Sequence, residues 1–320
     1  MAQLKMVQAI NQALAYEMER DDRVVLLGED VGRDGGVFRV TEGLLERFGS
    51  ERVLDTPLCE SGIMGAAIGM AAYGLCPVPE IQFMGFTYSA FEQLFAHAAR
   101  IRSRSRGRFT CPLVVRTPYG GGIKAPELHE ESTEALFCQV PGLKVVVPSG
   151  PYMAKGLLLS ALRDPDPVLF LEPTRLYRLI REEVPEGEYV VELGKARVAR
   201  AGGAVTVVAW GSMLERVLKA VDGYDAEVLD LLTLSPFDIG AVLASVRKTG
   251  RLVIVHEAAK SCGFGAEIAA TVAEEAILHL RGPILRVTAP DVPVPLAKLI
   301  DHYLPGPKQI RAALDQVLQY

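Results

Sequence analysis

The sequence predicts an α/β fold: two domains, each a mostly parallel sheet flanked by helices. Three observations point there. Apolar runs of strand length alternate with helix-period segments almost throughout, an order that implies right-handed crossovers and parallel strands. The 320 residues exceed one ordinary core, at ~150 residues per domain. The alternation breaks once, over 172–190, where the charged, proline-containing stretch EPTRLYRLIREEVPEGEY reads as a linker. Domains are therefore expected at 1–185 and 186–320.

The elements follow in order. Residues 4–19 put Leu4, Val7, Ile10, Leu14 and Met18 on one face, a helix signature. Val24-Val25-Leu26-Leu27 is a continuous apolar run, as in a parallel strand covered on both faces. Similar runs recur at 77–83, 113–116, 144–147 and 168–171. Between them lie helical stretches near 41–48, 61–73, 88–102, 131–138 and 151–163. Asp164-Pro165-Asp166-Pro167 stops the last of these. In the second half, strands are expected at 204–209, 226–230, 252–256 and 284–288, and helices at 212–221, 238–248, 264–279 and 307–318. There is no internal repeat.

Composition excludes several classes. With 49% apolar residues the chain has ample surface to bury, so disorder is not its main state. A formal charge of −5 gives no general attraction for nucleic acid or anionic lipid. The longest small-and-apolar run, Gly62 to Leu75, is too short to span a bilayer. The N-terminal helix pattern lacks the apolar core of a signal peptide, and a cytoplasmic location is expected. Cys59, Cys76, Cys111, Cys138 and Cys262 form no C-x-x-C pair, which suits a reducing compartment. Asn11 is the only asparagine and arginine outnumbers lysine 24 to 10, a bias of heat-adapted proteins or of GC-rich genomes.

Common catalytic motifs are missing. No G-x-G-x-x-G follows a strand, since Gly263-Phe264-Gly265 is followed by Ile268 at the third position. There is no nucleotide phosphate loop, and Gly211-Ser212-Met213 lacks the second glycine of a nucleophile elbow. These absences narrow the field toward chemistry done by some other cofactor.

Four places carry candidate residues. Glu29 and Asp30 end the first strand, where parallel sheets bind ligands, though a capping or solvated turn acid would look the same. Glu60 opens a helix almost devoid of polar groups. It is either a dipole-stabilised first-turn acid or a carboxyl with restricted access to water. The strand end Glu80 to Tyr88 offers Gln82, Phe83 and Phe86, as core or as ligand contacts. His129 follows the glycine loop Gly120–Gly122 in a segment framed by acids, as a structural or a catalytic histidine.

Taken together and in order, Gly28-Glu29-Asp30-Val31, Gly35-Gly36-Val37-Phe38, Asp55-Thr56-Pro57-Leu58-Cys59-Glu60, Glu80-Ile81-Gln82-Phe83 and Pro126-Glu127-Leu128-His129 form a pattern. Pro141-Gly142-Leu143-Lys144-Val145-Val146-Val147-Pro148, Lys155-Gly156-Leu157-Leu158, Lys248-Thr249-Gly250-Arg251 and His256-Glu257-Ala258 extend it along the whole chain. It closely resembles the β subunit of the thiamine-diphosphate-dependent decarboxylating component of 2-oxo acid dehydrogenases. The resemblance implies a pyrimidine-binding domain followed by a transketolase C-terminal-like domain. It implies that Glu60 bonds the aminopyrimidine ring nitrogen of thiamine diphosphate and shares a proton there, with a pKa that burial would raise. Leu58 and Cys59 would line that site, Phe86 would pack on the ring with Gln82 beside it, and Glu29 would support it. Phe83, Met84, Gly85, Phe86 and His129 would face the substrate, with His129 moving a proton as the acyl group passes to lipoamide. A K+ site is also implied at Leu113, Ala161, Leu162, Asp164 and Asp166.

The family holds the diphosphate and Mg2+ with a Gly-Asp-Gly…Asn-Asn motif on its α subunit. This chain has no Gly-Asp-Gly. The resemblance therefore implies a two-α, two-β heterotetramer serving a lipoyl-bearing dihydrolipoyl acyltransferase. The Pro-Glu-Leu-His context favours pyruvate, with branched-chain 2-oxo acids (2-oxoisovalerate) as the alternative. Some relatives read His-Ser-Gln-Ser where this chain has His129-Glu130-Glu131-Ser132. A transketolase-like enzyme would need more basic residues than Arg116 and Lys124 over 116–132. A non-catalytic docking scaffold would not need Glu60, Phe86 and His129 together. Gly62, Gly65, Ala66, Gly69 and Ala72 fall at helical spacing and suit close packing, against a partner chain or within the domain.

Overall fold

The computed structural model describes residues 1–320. Two sheets, both mainly parallel, make up the two halves of the molecule. The strands are β1 (Ala2–Lys5), β2 (Val24–Gly28), β3 (Val53–Asp55), β4 (Cys76–Glu80), β5 (Val114–Tyr119), β6 (Lys144–Val146) and β7 (Val168–Pro173). They continue as β8 (Arg181–Val184), β9 (Arg197–Arg200), β10 (Val205–Ala209), β11 (Ala226–Asp230), β12 (Thr233–Ser235), β13 (Leu252–Ala259) and β14 (Leu285–Ala289). The first sheet runs β12-β6-β7-β5-β4-β2-β3, and the second β14-β13-β10-β11-β9. Strands β2, β5, β7, β10 and β11 are buried along their full length, which is why they read as continuous apolar runs.

The two sheets share one core. Val115 and Leu169 of the first pack in the same apolar cluster as Val208, Trp210 and Ile254 of the second. Strand β12, from the second half of the chain, also pairs antiparallel with β6 at the edge of the first sheet.

Several expectations need correction. The first helix is Met6–Arg20, because Ala2–Lys5 forms an antiparallel pair with β8. The stretch 172–190 is therefore no linker. It finishes β7, buries Leu176 and Tyr177 in a helical turn, and supplies β8 as a charged edge strand. Its far end is fastened by Lys155. That buried ammonium donates to Gln12 Oε1 at 2.9 Å, the Pro185 carbonyl at 2.5 Å and the Glu186 carbonyl at 3.0 Å.

The predicted helix 88–102 is a chain of short turns of changing pitch between Met84 and Arg104, although Ala90, Leu94 and Ala98 are buried at the expected four-residue spacing. Strand β4 carries Pro77 and Pro79, which cannot donate to a ladder. Its pairing with β5 shrinks to Glu80 opposite Arg116, with Ile81 N–H on the Arg116 carbonyl at 2.9 Å.

No helix is long and apolar enough to cross a membrane.

Candidate active site

Loops at the carboxyl ends of β2, β3, β4 and β5 bring the candidate residues together. A buried ion cluster lies below them. Arg116 donates to Glu80 Oε2 at 2.7 Å and to the two Glu172 oxygens at 2.7 and 3.0 Å, and the Tyr177 hydroxyl donates to Glu172 at 2.6 Å. One guanidinium thus ties the ends of three adjacent strands. Such a buried charge is tolerable only because its hydrogen bonds are filled.

Glu60 is the first residue of the helix Glu60–Ala72 and half-buried. Ser89 Oγ donates to its Oε2 at 3.0 Å. Glu29, after β2, has its carboxyl pushed up by burial and, next, by the negative charge of Glu60. The two acids are therefore electrostatic neighbours. Gln82 Nε2 donates to Asp30 Oδ2 at 3.0 Å, joining the β2 and β4 loops. Asp55 accepts from Gly32 N at 2.6 Å and Arg33 N at 3.0 Å, which fixes the loop carrying Gly35 and Gly36.

The aromatics close a second side. The His129 ring lies 4.2 Å from Phe83 and 5.1 Å from Phe86, centroid to centroid, and Phe83 and Phe86 meet edge-on at 5.6 Å. Phe38 packs against Phe83 from behind at 5.6 Å. His129 Nδ1 lies 2.8 Å from the Glu127 carbonyl, which can only accept. The neutral ring therefore carries its proton on Nδ1 and leaves Nε2 free to exchange one. Gly85 is required, since a Cβ there would lie 2.2 Å from the Leu128 carbonyl oxygen.

The other candidates separate. Met84 is 1% exposed and belongs to the apolar core, so it contributes packing behind the site. Leu58 and Cys59 are exposed beside Glu60. At the implied K+ site both carboxylates are in ion pairs. Lys144 Nζ is 2.8 Å from Asp164, and Arg102 Nε is 2.6 Å from Asp166. The Leu113 and Ala161 carbonyls accept N–H bonds from Val168 and Asp164. A further cation would enter beside two positive side chains that already neutralise both carboxylates. Nowhere do three or more His, Cys, Asp or Glu side chains gather as metal ligands.

Sequence reasoning missed Ser89 and Phe38 as partners of Glu60 and Phe83, and nothing in their local spacing marks them. The helix after Glu60 has two distinct faces. Ser61, Gly62, Ala66, Gly69, Ala72 and Tyr73 are exposed on one side of it, while Ile63, Met64, Ala67 and Ala71 face the core.

The donor set offers a carboxyl for a ring nitrogen, aromatic walls and a histidine. Arg116, beneath the strand ends, is consumed by Glu80 and Glu172.

A second buried acid lies near the domain junction. Burial pushes the Glu134 carboxyl up to about 7. An unfolded glutamate titrates near ~4.3, so the protonated form adds stability that is full below that value and lost as pH rises through about 7. Glu134→Gln is expected to flatten the fall in Tm between about pH 5 and pH 8. The variant's stability relative to the parent should rise toward the upper end of that range. Parallel thermal melts across that range check it.

Residues 2–180 match the pyrimidine-binding domain of transketolase, and residues 194–310 match its C-terminal domain. Full-length relatives are named pyruvate dehydrogenase E1 component subunit beta. The Staphylococcus epidermidis protein is 51% identical and the Bacillus subtilis protein 50%, each over 100% of both chains. The Acholeplasma laidlawii protein is 51% identical over 98% of this chain and 97% of its own. Among solved structures, a split-gene transketolase described as an inactive beta4 tetramer superposes with a TM-score of 0.80 at 23% identity. It covers 99% of both chains and shares the fold.

Proposed function

The chain belongs to the family of pyruvate dehydrogenase E1 component beta subunits, and on that premise we propose that it is the pyrimidine-facing half of an active site that decarboxylates pyruvate and passes the acyl group to lipoamide. The observation that carries this reading is the grouping of Glu60, Phe86 and His129, linked through Ser89 and the Phe86–His129 ring contact. The residues for the diphosphate, with Mg2+, would come from an alpha subunit in a two-alpha, two-beta assembly. The exposed small-residue face of Glu60–Ala72 supports such a neighbour. A lipoyl-bearing acyltransferase would receive the product. We place the pyrimidine-facing domain at 1–185, the second at 186–320, and the protein in the cytoplasm.

Thiamine diphosphate, when bound, supplies the electron sink for loss of CO2. Glu60 holds a proton against the pyrimidine nitrogen, positioned at its helix start and steadied by Ser89. Glu29 gives Glu60 an acidic neighbour whose own carboxyl is pushed up by burial and by the charge of Glu60. Phe86, Phe83 and Gln82 shape the walls and limit water, which strengthens each polar contact inside. The backbone of Leu58 and Cys59 borders the same space. His129 Nε2 would give a proton to the sulfur released when the lipoyl disulfide opens and its other sulfur takes the acyl group, the disulfide being the two-electron oxidant, since Nδ1 is held by Glu127.

His129→Ala should therefore lower reductive acylation of a lipoyl domain by ~10²-fold or more while thiamine diphosphate affinity changes little. Collapse of cofactor affinity with acylation spared would contradict this role. The substrate is tested by reconstitution with the alpha subunit and assay on several 2-oxo acids. Pyruvate should be preferred, as the names of the relatives suggest. Preference for 2-oxoisovalerate would shift the reading to the branched-chain enzyme.

A further inference from the structure

The glycine loop before His129 is fastened by two buried carboxylates that the site description has not used. Gly120, Gly122 and Lys124 take positive φ values of 78°, 111° and 62°. This alternation turns successive N–H groups toward one side, a concavity that binds an anion. Here the anion is internal. Glu130 Oε1 accepts from Gly122 N at 2.7 Å, Ile123 N at 2.7 Å and Lys124 N at 2.9 Å. Glu130 is only 3% exposed, although the loop it holds lies at the surface.

The second carboxylate comes from the other domain. Glu257, on β13, accepts Gly121 N at 3.0 Å and the Ser212 hydroxyl at 2.9 Å. A Cβ at Gly120 would fall 2.6 Å from Glu257 Oε1, so only glycine lets this side chain approach. Thr174 Oγ1 donates to the Gly120 carbonyl at 2.9 Å from the end of β7. The far side of the segment is set by Gly85, packed under the Leu128 carbonyl. His129 is thus bracketed between a pinned loop and the Phe83–Phe86 wall.

We propose that Glu130 is a positioning residue: by filling the cradle of N–H groups at Gly122–Lys124, and with Glu257 anchoring Gly121, it fixes where His129 Nε2 meets the acyl group. The proposal rests on the reading of His129 given above. A carboxylate suits the task because it is acceptor-only and one oxygen serves three donors. A side chain adjacent to the histidine in sequence transmits its position through a single peptide unit. A displacement of about 1 Å at a reacting group costs as much as ~10²-fold in rate.

The test uses the reconstituted complex with its alpha subunit and a lipoyl domain, with wild type, His129→Ala, Glu130→Ala, Glu130→Gln and the Glu130→Ala, His129→Ala double variant. Glu130→Ala should lower kcat for lipoyl acylation ~10-fold or more, with a smaller effect on KM. Glu130→Gln keeps an oxygen acceptor and should recover most of the loss. In the His129→Ala background the Glu130 change should add nothing, since it acts through that ring. Independently of activity, amide hydrogen exchange at Gly122, Ile123 and Lys124 should rise in Glu130→Ala and not in Glu130→Gln. Unchanged exchange would overturn the anchoring itself, and additive losses in the double variant would overturn the route through His129. Wild-type acylation by His129→Ala would overturn the underlying reading of His129, and the exchange measurement would still decide whether Glu130 holds the loop.

Discussion

Glu60→Gln is expected to reduce turnover by ~10²–10⁴-fold, a barrier increase of about 3–5 kcal/mol, and to leave the fold intact. The chemistry needs a carboxyl that can hold and release a proton at a ring nitrogen, and an amide cannot. The fold should not notice. Glu60 is half-buried, its one side-chain partner is the Ser89 hydroxyl, and the amide oxygen of glutamine can accept the same bond. The measurement is pyruvate decarboxylation with an artificial electron acceptor in the assembled complex, beside a thermal melt. A rate near that of wild type would remove Glu60 from the mechanism.

Gly65→Leu or Gly69→Leu should abolish assembly, and activity with it, without unfolding the isolated chain. Nothing lies within 4 Å of a Cβ built at Gly69, and at Gly65 only the tip of Gln93 does, at 3.8 Å. Within this chain the added side chain has room, and leaving glycine recovers up to ~1 kcal/mol of helix propensity. Tight packing inside the domain therefore does not explain the glycines. Across an interface the same side chain overpacks, at ~1–3 kcal/mol or more per site. Tyr73, 92% exposed, and Leu58, 76% exposed, extend the apolar part of this face. Sedimentation of the variant with the alpha subunit decides the matter. An unchanged heterotetramer would show that the face lies elsewhere in the assembly.

Strands covered on both faces were legible because burial on two sides leaves a continuous apolar run, as in Val24–Leu27 and Val205–Ala209. The helix over 151–163 was legible from its apolar content and its Asp-Pro stop. What escaped were elements whose partners are distant in sequence. Strand β1 is paired by β8 from the other end of the first half of the chain, as in Gln3 opposite Glu183. The three-residue β12 finds β6 across the domain boundary. Short charged edge strands look like linkers until the pairing is seen.

In the site, Glu60, Phe86 and His129 could be named from motif order, because the whole pattern is specific where each piece is not. The hydrogen bonds that hold them could not. Glu130 stood in the sequence as one acid in an acidic segment, and only the backbone turn at Gly120–Lys124 gives it three donors. The small-residue helix was legible from its spacing, but which of its sides is exposed could be read only from the fold.

The central claim is that this chain is one half of a shared active site. Pyruvate-dependent reduction of an artificial electron acceptor should be measured with thiamine diphosphate and Mg2+ for this chain alone, for the alpha subunit alone, and for mixtures up to equal stoichiometry. The account predicts no turnover from either alone and activity that rises to a plateau at a one-to-one ratio. Turnover by the isolated chain, or a well-formed one-to-one complex that leaves pyruvate untouched, would contradict it.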